Sequence, residues 1–212
     1  MFFEYGDREL IHLKKQDERM KWAIETIGHI DRNVNPDLFT GLMSSIIAQQ
    51  ISSKAAKTVW GRFEVLCGAV TPERVNALEI EAIQKLGMSF RKANYISEIA
   101  SRVVKGVLDL QALNELPDAE VAEKLKSLPG IGIWTAEMLM IFSMQRENIV
   151  SWDDLAIRRG IMRLYGLNKL DKKQFTTIKK QFDPFGSVAS LYLWEISTEK
   201  YAYLDLELTE GI

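Results

Sequence analysis

Two adjacent carboxylates, Asp153 and Asp154, open an apolar-periodic stretch in SWDDLAIRRG. A carboxylate in the first turn of a helix has two uses. It can cap free backbone amides and offset the positive end of the helix dipole. It can also stand beside a reacting centre, stabilise positive charge developing in a transition state and orient a water. Upstream, LPGIGIWTAEMLM sets Pro129, Gly130, Ile131 and Gly132 between two helix-like stretches, with Trp134 in the first turn of the second. Proline ends the first stretch because its ring and missing N–H cannot continue a helix. The glycines permit left-handed dihedrals and close approach by another backbone. Backbone amides of this turn and of the second helix's start, as far as Thr135, would point outward and suit a phosphate oxygen. Such a contact touches no base and carries no sequence preference. The other reading of a bare Pro-Gly-x-Gly is a tight connector without a ligand, just as one aspartate can be only a cap.

The elements that must hold these residues all have a helical period. DERMKWAIETIGHI puts Met20, Ala23, Ile24, Ile27 and Ile30 on one stripe. Asn35 as N-cap with Pro36 at the first helical position predicts the next start, and the long segment that follows breaks into two helices near QQISS. Thr71 caps another helix with Pro72 behind it. Gly87 and Gly106 mark C-termini. No strand-like alternation of useful length occurs. The expected fold is therefore all-α, about ten short helices in two helical lobes around a cleft, with a helix-hairpin-helix. One lobe is expected over 35–150, carrying the QQIS turn and the hairpin. The other is expected from 1–34 plus 151–212, carrying the aspartates.

Composition narrows the class. The chain has 212 residues, 47% hydrophobic and 26% charged, with a formal net charge of −2. That is the profile of a globular protein with a sizeable core. The overall charge gives no support to nucleic-acid binding, so local patches must carry it. One cysteine, Cys67, rules out internal disulfides and a Cys-rich metal site and suits a reducing, cytoplasmic setting. No signal peptide and no run long enough to span a membrane is read.

LPGIGIWTAEMLMIF followed by IVSWDDLAIRRG closely resembles the helix-hairpin-helix (HhH-GPD) DNA glycosylases of base excision repair. IIAQQISSKAA, LGMSFRKANYISEIA and DPFGSVASLYLW resemble three further segments of that family, so the likeness runs from about Asn35 to Trp194. It is nearest to the alkylation-repair branch typified by bacterial 3-methyladenine DNA glycosylase II, without that enzyme's N-terminal β domain.

The resemblance implies hydrolysis of an N-glycosidic bond in double-stranded DNA containing damaged bases, by a monomer. Asp154 matches the catalytic aspartate of a D-x-x-I-x-R pattern, completed by Ile157 and Arg159, with Asp153 as cap or support. The lyase branch of the family keeps a lysine two residues after the hairpin's last glycine. Here that residue is Trp134, so no Schiff base can form there. The product would be an abasic site in an intact strand. Trp134 and Trp194 match pocket positions that receive the flipped base, and aromatic faces attract cationic alkylated bases. Core packing is the other use of either tryptophan. Met138 and Leu155 stand where the near relative has aromatic residues, and Gly186 stands where the family has an arginine.

Gln50, with Gln49 beside it, matches the wedge that fills the hole left by the base. Two exposed polar loop residues is the plainer reading. Lys54, Lys57, Arg91, Lys92, Arg158, Arg159 and Arg163 supply local charge for phosphates, while DKKQFTTIKK reads as a solvated face. In the family a monovalent or divalent cation sits on hairpin carbonyls, which fall on Lys126, Leu128 and Ile131. No catalytic cofactor is implied. The iron–sulfur branch needs four cysteines and is excluded. Two alternatives stand beside alkylated purines: a glycosylase for uracil, deaminated or oxidised bases, and a non-catalytic helix-hairpin-helix DNA-binding module.

Overall fold

The computed structural model describes residues 1–203; the end of the second expected lobe, 204–212, lies outside them. Among the described residues there are twelve α-helices and no sheet. They are α1 Asp7–Gln16, α2 Glu18–Ile27, α3 Leu38–Ala48, α4 Ser53–Cys67, α5 Pro72–Asn76, α6 Ile80–Gln84, α7 Phe90–Val104, α8 Asp118–Lys126, α9 Ile133–Phe142, α10 Leu155–Tyr165, α11 Lys172–Lys179 and α12 Gly186–Ile196. A lone antiparallel bridge joins Phe2 to Asn33. None of these helices is long and apolar enough to cross a membrane.

The chain divides into two compact units, Asn35–Met144 and Met1–Val34 with Gln145–Ile212. The first unit is cored by Phe39, Leu42, Met43, Ile46 and Ile47 of α3, Ala93, Ile96, Ile99 and Ala100 of α7, and Leu139, Met140 and Ile141 of α9. Its two ends meet, the Asn35 N–H donating to the Phe142 carbonyl at 2.9 Å. The second unit is centred on α12, whose Val188, Ala189, Leu191, Tyr192 and Leu193 are all buried. The Tyr192 hydroxyl donates to the Gly28 carbonyl at 3.0 Å, which ties α12 to the end of α2.

Local signals explain most helix starts. Thr71 caps α5 with Pro72 at its head, Ser52 caps α4 and Ser89 caps α7. One start differs from expectation. α3 is capped by Asp37, not Asn35: the Asp37 carboxylate accepts from the Thr40 N–H at 2.8 Å. Asn35 instead braces the cap, accepting from the Asp37 N–H at 3.2 Å and donating to the Thr40 hydroxyl at 2.7 Å. A carboxylate one residue after Pro36 outcompetes an amide before it. α1 opens at Gly6, with no side-chain N-cap to mark its start, but Glu9 reaches back to accept from the Gly6 N–H at 2.8 Å.

Candidate active site

The hairpin lies in the first unit. α8 ends at Lys126 with Ser127 as its C-cap, and α9 begins after Gly132. The two glycines have different duties. Gly130 takes φ 80°, and a Cβ there would be driven into the Tyr95 ring, with Cε2 only 2.8 Å away. Gly132 has ordinary extended dihedrals (φ −88°), is exposed, and a Cβ there would meet nothing within 4 Å. Only Gly130 needs glycine for the fold; Gly132 leaves the head of α9 open to an approaching group. α9 has no side-chain cap. One expectation is corrected here: the Ile131 amide is used inside the turn, donating to the Leu128 carbonyl at 3.1 Å. Thr135 is buried.

Trp134, in the first turn of α9, is 46% exposed, and Met138, one turn on along the same face, is half-buried. An indole left this far in solvent is not serving as core. Gly132→Val provides a clean test of the hairpin. Valine suits extended dihedrals and its Cβ meets nothing within 4 Å, so the variant should fold and melt like the parent. Hydrogen bonds to a charged phosphate contribute about 1.5–3 kcal/mol, so blocking them should weaken every duplex alike by roughly tenfold or more. Titration of unrelated duplexes at several salt concentrations checks this. Parental affinity would make the hairpin only a connector.

The α3–α4 turn also belongs to the first unit. Gln50 is exposed and takes φ 59°, a left-handed conformation that non-glycine residues seldom adopt. Gln49 points the other way, its side-chain amide donating to the Gly130 carbonyl at 2.7 Å. Lys92, read from sequence as a phosphate contact, instead donates to the carbonyls of Ile47 at 2.9 Å and Gln49 at 2.5 Å. Lys54, Lys57 and Arg91 are exposed.

Asp154 lies in the second unit and is itself the N-cap of α10; Asp153 is exposed and caps nothing. One Asp154 oxygen, Oδ1, accepts from the amides of Ala156 and Ile157, both at 2.9 Å. The residue is 7% exposed. The two amides fix the direction of the carboxylate at the positive end of the helix dipole. Leu155, next along, is 69% exposed. Of the arginines that follow, Arg159 is exposed and Arg158 lies over the Trp152 ring at 4.9 Å. Arg163 is buried, donating to the carbonyls of Ile196 at 3.1 Å and Thr198 at 2.6 Å. It holds the end of α12 and is not a phosphate contact. The Lys172–Lys179 helix turns Lys172 and Lys173 outward over buried Phe175 and Ile178, as a solvated face does, while half-buried Lys179 donates to the Val150 carbonyl at 3.4 Å.

Trp194 on α12 is half-buried, with the Arg32 guanidinium 5.6 Å from its ring centroid. No sequence pattern marks Arg32. α12 crosses α10 with no room to spare: a Cβ on Gly160 would fall on the Leu193 carbonyl, whose carbon is 2.8 Å and Cα 3.0 Å away. The helices bearing Asp154 and Trp194 therefore touch backbone to backbone. A Cβ at Gly186 would crowd Asn148 at 2.7 Å and Val150 at 2.8 Å, so an arginine does not fit there.

The family model described as HhH-GPD superfamily base excision DNA repair protein matches residues 43–184. The chain belongs to that superfamily. It is similar to DNA-3-methyladenine glycosylase 1 of Schizosaccharomyces pombe, 32% identical over 195 residues that cover 88% of this chain and 86% of the relative. Among solved structures it resembles a DNA-3-methyladenine glycosidase from Bacillus halodurans, with TM-score 0.89, 36% identity and full coverage of both chains. It also resembles the S. pombe glycosylase Mag1 in complex with abasic DNA, with TM-score 0.76, 31% identity, and 90% and 96% of the two chains covered. Within the HhH-GPD frame, the matched region spans the α3–α4 turn, the hairpin and the α10 cap.

Proposed function

We propose that this HhH-GPD base excision DNA glycosylase hydrolyses the N-glycosidic bond of flipped-out alkylated purines in double-stranded DNA, acting as a monomer and leaving an abasic site in an intact strand. The observation that carries the reading is Asp154. It is a nearly buried carboxylate, fixed by two amides through one oxygen, at the head of a helix that an asparagine or serine would cap equally well. Beside a polyanion such a charge costs affinity, so a pure DNA-binding module gains nothing from it. Loss of the base leaves positive charge on the deoxyribose. Asp154 stabilises that charge until water captures the sugar. Trp134, Met138, Leu155 and Trp194 are the candidates for the apolar and aromatic surface that receives the base, and Gln50 for the side chain that fills the vacated stack. The amides of Gly130 and Gly132 and the backbone of Thr135 take phosphate oxygens. A monovalent or divalent cation on the carbonyls of Lys126, Leu128 and Ile131 would bridge the turn to phosphate.

The names of the relatives support alkylated bases as the substrate class. Arg32 favours a second reading. A guanidinium over Trp194 already provides the cation that a charged base would bring, so a neutral lesion suits that ring better. Duplexes each carrying one lesion, incubated with the protein and then treated with alkali, test both. Release of cationic purines supports the first reading, and release confined to neutral lesions supports the second. Borohydride present during turnover tests the chemistry. No protein–DNA adduct should form, because Trp134 has no amine to make an imine. A trapped adduct, with nicking that needs no alkali, would overturn the hydrolytic assignment.

A further inference from the structure

Lys92 and Gln49 form a connected set of hydrogen bonds that the proposed chemistry leaves unused. The Lys92 ammonium reaches the Ile47 carbonyl in the last turn of α3 and that of its C-cap, Gln49. Those carbonyls lie where the helix has run out of amide donors, and a cation is the natural cap. Burial pushes the Lys92 amine below the usual lysine range, as expected of a charge turned inward rather than toward phosphate. The Gln49 side chain then crosses to the Gly130 carbonyl. Tyr95, one turn beyond Lys92 on α7, packs its ring against the same glycine. Gln50, left over at the tip, is held in the left-handed region. Such a conformation persists only where the surroundings over-determine it, and here Lys92 and Gln49 do so.

We infer that Lys92 and Gln49 are positioning residues for base extrusion: α7 fixes the Gln50 loop through Lys92, and Gln49 locks that loop to the hairpin turn. The hairpin's hold on phosphate and the tip's entry into the stack then act as one rigid piece, so the tip arrives preset at a fixed distance from the gripped backbone. This rests on reading Gln50 as the wedge, and the test separates the two claims.

The probe is a duplex with a tetrahydrofuran abasic analogue facing 2-aminopurine, whose fluorescence changes when a side chain enters the gap. Amplitudes are read at saturating protein, so that affinity does not enter. The parent should give a full change and Gln50→Ala little. Lys92→Met and Gln49→Ala should cut the inserted population on the order of tenfold, the scale set by losing a hydrogen bond to a charged group or one between two half-buried groups. Gln49 is half-buried on a surface turn, so Gln49→Ala keeps the inference testable if Lys92→Met does not fold. Full amplitude in Gln50→Ala would refute the wedge itself. Full amplitude in both Lys92→Met and Gln49→Ala, with Gln50→Ala silent, would overturn the positioning role alone.

Discussion

Asp154→Asn is expected to melt like the parent, to bind duplex DNA at least as tightly, and to release base at under about a hundredth of the parental rate. Each part follows from the cap geometry. Oδ1 accepts two amide hydrogen bonds at 2.9 Å, and an asparagine oxygen can accept both. Asparagine and aspartate are near equals as N-caps, so the helix start survives. What disappears is the negative charge. Its removal beside DNA lowers repulsion, hence the retained or tighter binding. The same removal takes from the sugar cation its only counter-charge in this reading, and every ~1.4 kcal/mol lost is tenfold in rate. Asp154→Ala should lose the same activity and in addition about 1 kcal/mol of stability, because the cap goes too. Asp153→Asn, at an exposed position, should cost little of either. Single-turnover rates with thermal melts check all three. Near-parental turnover in Asp154→Asn would remove the residue from the mechanism and leave it a cap.

Gly160→Ala is the second large effect, and it is expected in stability. Adding a methyl to a packed core costs about 1–3 kcal/mol where side chains can yield. Here the new atom meets the Leu193 carbonyl, and a backbone cannot swing aside. A loss at or above the top of that range, roughly 6–12 °C in melting temperature for a chain this size, is expected. Activity should fall further than stability alone explains, because α10 can yield only by moving Asp154. Gly61→Ala is the control. A Cβ there meets nothing within 4 Å on a continuous helix, so it should raise stability by about 0.5–1 kcal/mol. If Gly160→Ala melts with the parent, the α10–α12 crossing is looser than its geometry states.

The two positions also show what was readable in advance. Capping and turn chemistry act over three or four residues, so Thr71 with Pro72, the break at QQISS and the hairpin between Ser127 and Ile133 were legible. The Asn35 start was misplaced by two residues because two competent caps flank one proline. Side chains satisfied far along the chain left no local trace. Lys92 finds carbonyls 45 and 43 residues back, and Arg163 finds them 33 and 35 residues on. From sequence both were cations awaiting phosphate. The family resemblance supplied Asp154 and Trp134 as candidates; Arg32 over Trp194 had no signature at all.

The meeting of Asn35 with Phe142 has a consequence for topology. The second unit is assembled from two stretches that about 110 residues separate in sequence, and the intervening unit is an inserted domain. Closing a flexible loop of that length carries an entropy cost that grows with the logarithm of its length. Once Asn35–Met144 has folded, its own ends are already clasped by a backbone hydrogen bond. For residues 34 and 145 the effective loop has then shrunk to a few residues, a relief of about 3 kcal/mol. The inserted domain is thus the tether that makes α2, α10 and α12 near neighbours along the folded path, however remote they are along the chain.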